Sequence, residues 1–436
     1  MVDILVRGGI LVTMDPNRRV IKQGSVAIDG DRIVAVGEEI GEKADKVIDA
    51  RGKAILPGLI NGHTHLAMAL LRGYADDMPL DKWLSEKIWP MEKMMRPRDC
   101  YVGSLLGSLE MIKSGTTCFA DNYFHMDQVA RAVKKAGLRG VLSYGMIDRG
   151  NRQKMKEEIR IGRSFVKSFQ GKAQGRILTM FGPHAPYTCS TECLLKVKEL
   201  AKRFGVGIHI HVAESREEVK LTVENYGKRP VEYLDSIGFL GPEVLAAHCV
   251  WLTEKEIEML RTKEVKPVHN PASNLKMGSG IAPVPEMLSA GIPVALGTDG
   301  AASNNSLDMF KEMKLAALLG KVRKLDPTTM PAMKALEMAT INGATALGLS
   351  NEIGSVEVGK RADLITVDLK RSHLTPMYDV VSHLVYSANG GDVDTVIVDG
   401  KILMEGGKVL TLDEEKVLEL AQRTSDDLVS RAGGNK

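Results

Sequence analysis

The sequence predicts an α/β protein, a (β/α)8 barrel carrying a small β-sandwich domain formed by both termini. Three observations lead there. The two ends are rich in short alternating strands and echo each other: Thr395-Val396-Ile397-Val398-Asp399-Gly400-Lys401-Ile402-Leu403 resembles Asp3-Ile4-Leu5-Val6-Arg7-Gly8-Gly9-Ile10-Leu11. Between them, short apolar strands alternate with amphipathic helices, the pattern of βα units around a parallel sheet. An open doubly wound sheet would want a Gly-rich phosphate loop after an early strand, and none is present.

Taken in order, the first part reads as strands at 4–6, 10–13, 25–28, 32–36 and 46–48, with Gly8-Gly9 as a turn and Asp29-Gly30 as a tight hairpin turn. The barrel is expected over 54–354. Its strands fall at 54–60, 115–121, 139–147, 176–182, 206–213, 244–250, 266–269 and 293–298, with helices between most of them, such as 100–114 and 191–204. Strand texture returns at 362–367, 395–398 and 401–404, where Asp399-Gly400 supplies another turn. Residues 1–53 and 355–436 then make one composite domain, brought together across the inserted barrel.

Bulk properties narrow the function. The 436 residues are 44% hydrophobic and 26% charged with a net charge of +3, and they contain no long basic block. That balance gives no case for nucleic acid or an anionic membrane as partner. No apolar run approaches the length that crosses a bilayer, and the start reads as a strand rather than a signal peptide. Five scattered cysteines, Cys100, Cys118, Cys189, Cys193 and Cys249, fit a reducing cytoplasm better than a disulfide framework. Cys189 and Cys193 have no second pair to complete a zinc knuckle and read as incidental thiols.

The chemistry begins in Ala54-Ile55-Leu56-Pro57-Gly58-Leu59-Ile60-Asn61-Gly62-His63-Thr64-His65. In a strand, side chains at i and i+2 share a side, so both imidazoles converge where the strand meets a polar loop. Imidazole suits zinc and other transition metals, and a catalytic centre needs further ligands and an open position for water. A bare H-x-H also fits two structural histidines, so partners decide the matter. In a barrel they belong at the C-terminal strand ends. His184 follows the fourth strand, His209 and His211 lie in the fifth, His248 ends the sixth, His269 the seventh, and Asp299 the eighth. Seven of the ten histidines thus fall at or next to expected strand ends, a clustering by topology that scattered core histidines would lack.

These segments resemble the amidohydrolase superfamily and, within it, the 5-methylthioadenosine/S-adenosylhomocysteine deaminases, which include 5′-deoxyadenosine deaminases. The resemblance spans essentially the whole chain and rests on residues 57–65, Trp83 through Glu92, 182–184, 209–214, 269–271 and 297–300. It implies one divalent metal per subunit held by His63, His65, His211 and Asp299. Three imidazoles and a carboxylate suit zinc, with iron or manganese as alternatives. Binuclear relatives use a modified lysine at strand four; Met180, Phe181 and His184 stand there, which implies a mononuclear site. The implied reaction is hydrolytic deamination of adenosine-type nucleosides, a metal-activated water attacking purine C6 with release of ammonia. Glu214 moves a proton to the purine ring, Asp299 takes the proton of the water, and His248 orients the attacking oxygen and stabilises its developing charge. Glu92 matches the family residue that holds the ribose hydroxyls, and His184 a histidine that touches substrate.

The other histidines read more plainly. His209 points the same way as His211 one layer deeper and reads as structural. His269 reads as strand-end packing or a support for a ligand, and His125, His373 and His383 lie away from the strand ends. Met91, Met94 and Met95 suit core packing, though a soft lining would also suit a 5′-thioether.

The 5′ substituent is harder to read. Some relatives carry an arginine on strand three for the homocysteine carboxylate of S-adenosylhomocysteine. Tyr144 takes that place here, which leaves Arg149, Arg152 or Arg160 on the following loop as readers, Arg149 first. The expectation is therefore a broad deaminase of 5′-deoxyadenosine, 5′-methylthioadenosine, S-adenosylhomocysteine and adenosine. The 5′-deoxyadenosine released by radical S-adenosylmethionine enzymes is its expected physiological substrate. The alternatives are another amidohydrolase, such as a guanine or cytosine deaminase or a chlorohydrolase, and a non-catalytic barrel that binds metal without turnover. A homo-oligomer is the expected assembly.

Overall fold

The structure is a computed structural model and describes residues 1–433. Five strands open the chain: β1 (Val2–Val12), β2 (Val20–Asp29), β3 (Arg32–Gly37), β4 (Ala44–Asp49) and β5 (Lys53–Pro57). Eight follow with helices between them: β6 (Leu59–Thr64), β7 (Thr116–Tyr123), β8 (Arg139–Met146), β9 (Ile177–Pro183), β10 (Gly207–Val212), β11 (Val244–His248), β12 (Lys266–His269) and β13 (Ala295–Leu296). Four more return near the end: β14 (Leu364–Asp368), β15 (Val393–Val398), β16 (Lys401–Glu405) and β17 (Lys408–Val409).

Strands β6 to β13 pair in chain order, every pair parallel, as a barrel of βα units requires. The eighth strand is only two residues long, yet the ring closes. Asp299 N–H donates to the His63 carbonyl at 2.9 Å, and Asn61 Oδ1 accepts from Thr298 N–H at 3.0 Å. Gly297 makes the approach possible, because a Cβ there would stand 2.7 Å from the His63 nitrogen and 2.5 Å from Asn270 Oδ1. The closure brings the first and last strand ends together, and it is this contact that sets His65 against Asp299.

The terminal strands form one nine-stranded sheet in the order β17-β16-β15-β14-β5-β1-β2-β3, with β4 parallel to β1. It encloses a core of its own that includes Val6, Ile28, Ile33, Ile48, Leu364 and Ile397. Two local expectations change. The run 54–60 is not one strand but two. Residues up to Pro57 pair with β1 and β14 in the terminal sheet, and β6 enters the barrel after Gly58, where a Cβ would collide with Thr117. Apolar alternation cannot say which sheet a strand joins. The Gly8-Gly9 turn is also absent; β1 runs through it with a shift of register, a bulge rather than a reversal.

A buried ion cluster ties sheet to barrel. Arg139, at the start of β8, makes paired bonds of 3.0 and 3.1 Å to Asp363 and another of 2.8 Å to Asp399. The last helix (Glu414–Arg431) returns to the barrel helix Pro97–Lys113, where Arg431 meets Asp99 at 2.7 Å and Lys113 meets Glu414 at 2.8 Å. No helix among the described residues is long and apolar enough to cross a membrane.

Candidate active site

The C-terminal strand ends supply the site. His63 and His65 leave β6 together, His211 comes from β10, His248 from β11, and Asp299 from just past β13. Asp299 Oδ1 lies 3.3 Å from His63 Nε2 and 3.2 Å from His65 Nε2, and His211 Nε2 lies 3.3 Å from His65 Nε2. Ala213, His248 and Asp299 hold left-handed backbone angles of +52°, +74° and +62°. For residues with a Cβ such angles cost roughly 1–3 kcal/mol each and persist where the surroundings over-determine them.

The far side of each ring fixes its proton. Nδ1 of His65 bonds the Asn122 carbonyl at 2.5 Å, and Nδ1 of His211 bonds the His184 carbonyl at 2.7 Å. Nδ1 of His248 bonds Asn274 Oδ1 at 2.9 Å. A carbonyl oxygen only accepts, so in each ring Nδ1 carries the proton and Nε2 presents a lone pair inward. His63 shows the same pattern with an imidazole as acceptor: its Nδ1 is 2.7 Å from His209 Nε2. The His63 Nε2 that remains is buried and finds no hydrogen-bond partner among the described residues. An orphaned buried nitrogen is costly; a cation bound by it removes that cost. The donor atoms of His63, His65 and His211 lie within 4.8 Å of one another, as do those of His63, His248 and Asp299. Neutral imidazoles and one carboxylate, preset in this way, fit a divalent transition metal.

A cleft opens over these donors, lined by His65, His211, His248 and Asp299. Its roof is the segment Leu80–Met94, which includes a π-helical stretch at Trp83–Ile88 and places Trp83, Trp89 and Glu92 against the cleft. Glu214, His184 and Tyr187 line it too. Glu214 Oε2 is 3.8 Å from His248 Nε2, and burial pushes the Glu214 carboxyl above its ordinary range. Burial likewise lifts Glu92 to about 7, against the opposing bond from the Tyr123 hydroxyl. Burial holds His184 down to about 3, so it faces the cleft neutral. Its Nδ1 is tied to Thr188 Oγ1 at 2.9 Å.

The structure brings every expected metal and catalytic residue together: His63 lies buried beneath the cleft, and the others line it with Glu92 and His184. Arg149 stands apart. Its guanidinium stacks 4.6 Å over the Trp89 ring and borders two cavities flanking the cleft rather than the cleft itself. Tyr144 bonds Glu158 and lines a separate cavity, while Arg152 and Arg160 are exposed beside Glu192 and Glu157. His269 is buried near His248 but has no place in the donor cluster. Cys189 and Cys193 prove to be neighbours of Asp148 in a buried group, with the Cys189 thiol 3.2 Å from the Met146 carbonyl. Sequence reasoning missed the supports: Asn122, Asn274, and Ser273 and Ser303, which donate to Asp299 Oδ2 at 2.6 and 2.9 Å. Asn274, four residues after Asn270, could have been suspected as a helix-borne partner for a strand-end histidine.

Over residues 54–403 the sequence matches the amidohydrolase family. The chain belongs to that family. It is 55% identical over 432 residues to a 5′-deoxyadenosine deaminase of Methanosarcina acetivorans, covering 99% of this chain and 100% of the relative. A 5-methylthioadenosine/S-adenosylhomocysteine deaminase of Pelotomaculum thermopropionicum is 52% identical over 437 residues, 99% of this chain and 100% of that protein. Among solved structures, an adenosine deaminase from Xanthomonas campestris with bound zinc superposes with a TM-score of 0.93 at 35% identity, covering 98% of this chain and 99% of that one. The amidohydrolase resemblance read from residues 57–65, 209–214 and 297–300 therefore holds over the whole chain, down to the two deaminase names it pointed to.

Proposed function

We propose that this amidohydrolase deaminates adenosine-type nucleosides, taking 5′-deoxyadenosine, 5′-methylthioadenosine, S-adenosylhomocysteine and adenosine to their inosine analogues with release of ammonia. One observation carries the reading: Glu92, whose place in the family pattern is that of a ribose reader, lines the same cleft as the histidine–aspartate cluster and Glu214. The relatives' names point to the same substrates.

His63, His65, His211 and Asp299 would hold the metal, with zinc the proposed ion because the structural relative carries it. When bound, it supplies the Lewis acidity that brings the pKa of water near neutrality. The side chains do the rest. Glu92 accepts from the ribose hydroxyls and sets the purine over the donors. Glu214, raised by burial, carries a proton to the ring nitrogen beside C6 and so makes that carbon electrophilic. Asp299 takes the proton released by the attacking water. His248, its Nδ1 proton fixed on Asn274, offers Nε2 as an acceptor that orients the water. Proton return to the exocyclic amine lets ammonia leave.

The substrate reading is tested by ammonia release from a panel of the four nucleosides with adenine, guanine, cytosine and a chlorotriazine. We expect 5′-deoxyadenosine to lie within about tenfold of the best substrate in kcat/KM, a gap of roughly 1.4 kcal/mol. A preference for guanine, cytosine or the triazine would replace it with the other amidohydrolase readings.

Glu92 makes a second expectation. Its carboxylate is the stronger acceptor, and below about pH 7 it protonates. The KM for nucleosides should therefore rise as pH falls through that value, approaching about tenfold per pH unit, with the metal retained. Glu92→Gln should flatten this limb, and Glu92→Ala should raise KM about 10–100-fold, the worth of a charged hydrogen bond. A KM independent of pH in the parent protein would remove Glu92 from ribose binding.

A further inference from the structure

We infer that Glu218 is a positioning residue for the reaction, holding Glu214 in place through the backbone. The inference rests on the reading of Glu214 as the proton carrier. Ser215-Arg216-Glu217-Glu218 has the spacing of a capping box, in which the glutamate reaches back to the N–H of the capping serine. Half of that box is present: Ser215 Oγ accepts from Glu218 N–H at 3.1 Å. The other half is diverted. Glu218 reaches past Ser215, and its two oxygens accept from the N–H groups of Ala213 at 2.8 Å and Glu214 at 2.7 Å.

Those two amides flank the tightest bend of the strand end. Ala213, at φ +52°, turns the chain out of β10, and its carbonyl accepts from the Val250 and Trp251 N–H groups at 3.1 and 2.9 Å. One side of the bend is thus fastened to the loop after His248, and the other to Glu218. With both fastened, Glu214 faces His248 across 3.8 Å. Without Glu218, two buried amides lose their acceptor and the left-handed residue loses half of what holds it there.

Stability alone does not account for this carboxylate. It is only 3% exposed, and the charged groups facing it are Glu214 and Glu256. Burial and neighbours both oppose an anion here, and an ordinary cap would have met Ser215 N–H at lower cost. What the diverted geometry gains is the orientation of residue 214. A misplacement of about 1 Å at a reacting group can lower a rate about 100-fold.

The test uses full-length protein with its metal and compares Glu218→Gln, Glu218→Asp, Glu214→Gln and the double variant Glu214→Gln/Glu218→Gln. Glu218→Gln turns one acceptor into a donor, and Glu218→Asp keeps the carboxyl group while withdrawing it by a methylene. Each is expected to lower kcat about 100-fold with KM within about threefold of the parent and metal content unchanged. In the Glu214→Gln background, Glu218→Gln should cost less than about twofold more, since a group acting through another adds nothing once that group is gone. Losses that multiply, or a parental kcat in either single variant while Glu214→Gln is inactive, would overturn the positioning role alone. Full activity in Glu214→Gln would overturn the mechanism beneath it as well. Should Glu218→Gln fail to fold, Glu218→Asp decides.

Discussion

Glu214→Gln is expected to lower kcat by about 1,000-fold, within the range that a positioned general acid–base contributes, while metal content and KM stay near those of the parent. The amide fills the same volume and keeps an acceptor, but it cannot carry a proton between ring nitrogen and exocyclic amine. Glu214 is not among the residues that would hold the metal, and its recorded neighbour in the cluster is the non-ligand His248 at 3.8 Å, so the centre should load normally. Steady-state rates on 5′-deoxyadenosine together with elemental analysis check both halves. Retained turnover would mean that another group protonates the purine. Loss of metal together with activity would make Glu214 a ligand instead.

His211→Ala should do the opposite, removing metal and activity together. His211 supplies an inward Nε2, its Nδ1 held by the His184 carbonyl. We expect turnover to fall more than about 1,000-fold, and chelation of the parent protein to reproduce the loss. Because only the folded chain presents the donors, metal should raise the melting temperature of the parent and not of the variant. His209→Asn gives an intermediate case. His209 accepts from His63 Nδ1 at 2.7 Å without facing the metal position, so its loss should weaken metal binding about 10–100-fold, as supporting residues do. Equal metal affinity in His209→Asn and the parent would leave His209 a packing residue.

The reach of sequence reasoning followed the range of each interaction. His63 and His65 were legible because a strand repeats every two residues, and Asp299 because the barrel rule sends polar strand ends to one face. Barrel strands two to seven fell within a few residues of their observed limits. The division at Gly58 was hidden, since both halves of the run are apolar and extended. His209 looked structural because nothing in its own segment announces that a histidine from β6 will donate to it. The diverted Glu218 carries a signature that reads as an ordinary cap. Arg149 was sought as a carboxylate reader, and only the fold reveals that Trp89 already occupies its guanidinium face. Glu218 apart, whose partners lie four and five residues back, these depend on distant parts of the chain, where local pattern has no purchase.

The roof of the cleft has a consequence for how this enzyme can be redirected. The hydrolytic centre is anchored in the closure of the barrel, where Gly297, Asn61 and the Asp299–His63 backbone bond tolerate little change. The proposed reader of the sugar, Glu92, sits instead on the short helical segment Leu80–Met94, which borders the cleft without adding a strand to the barrel. A segment grafted here from a base-specific relative should therefore change the ring accepted while leaving the donor cluster in place.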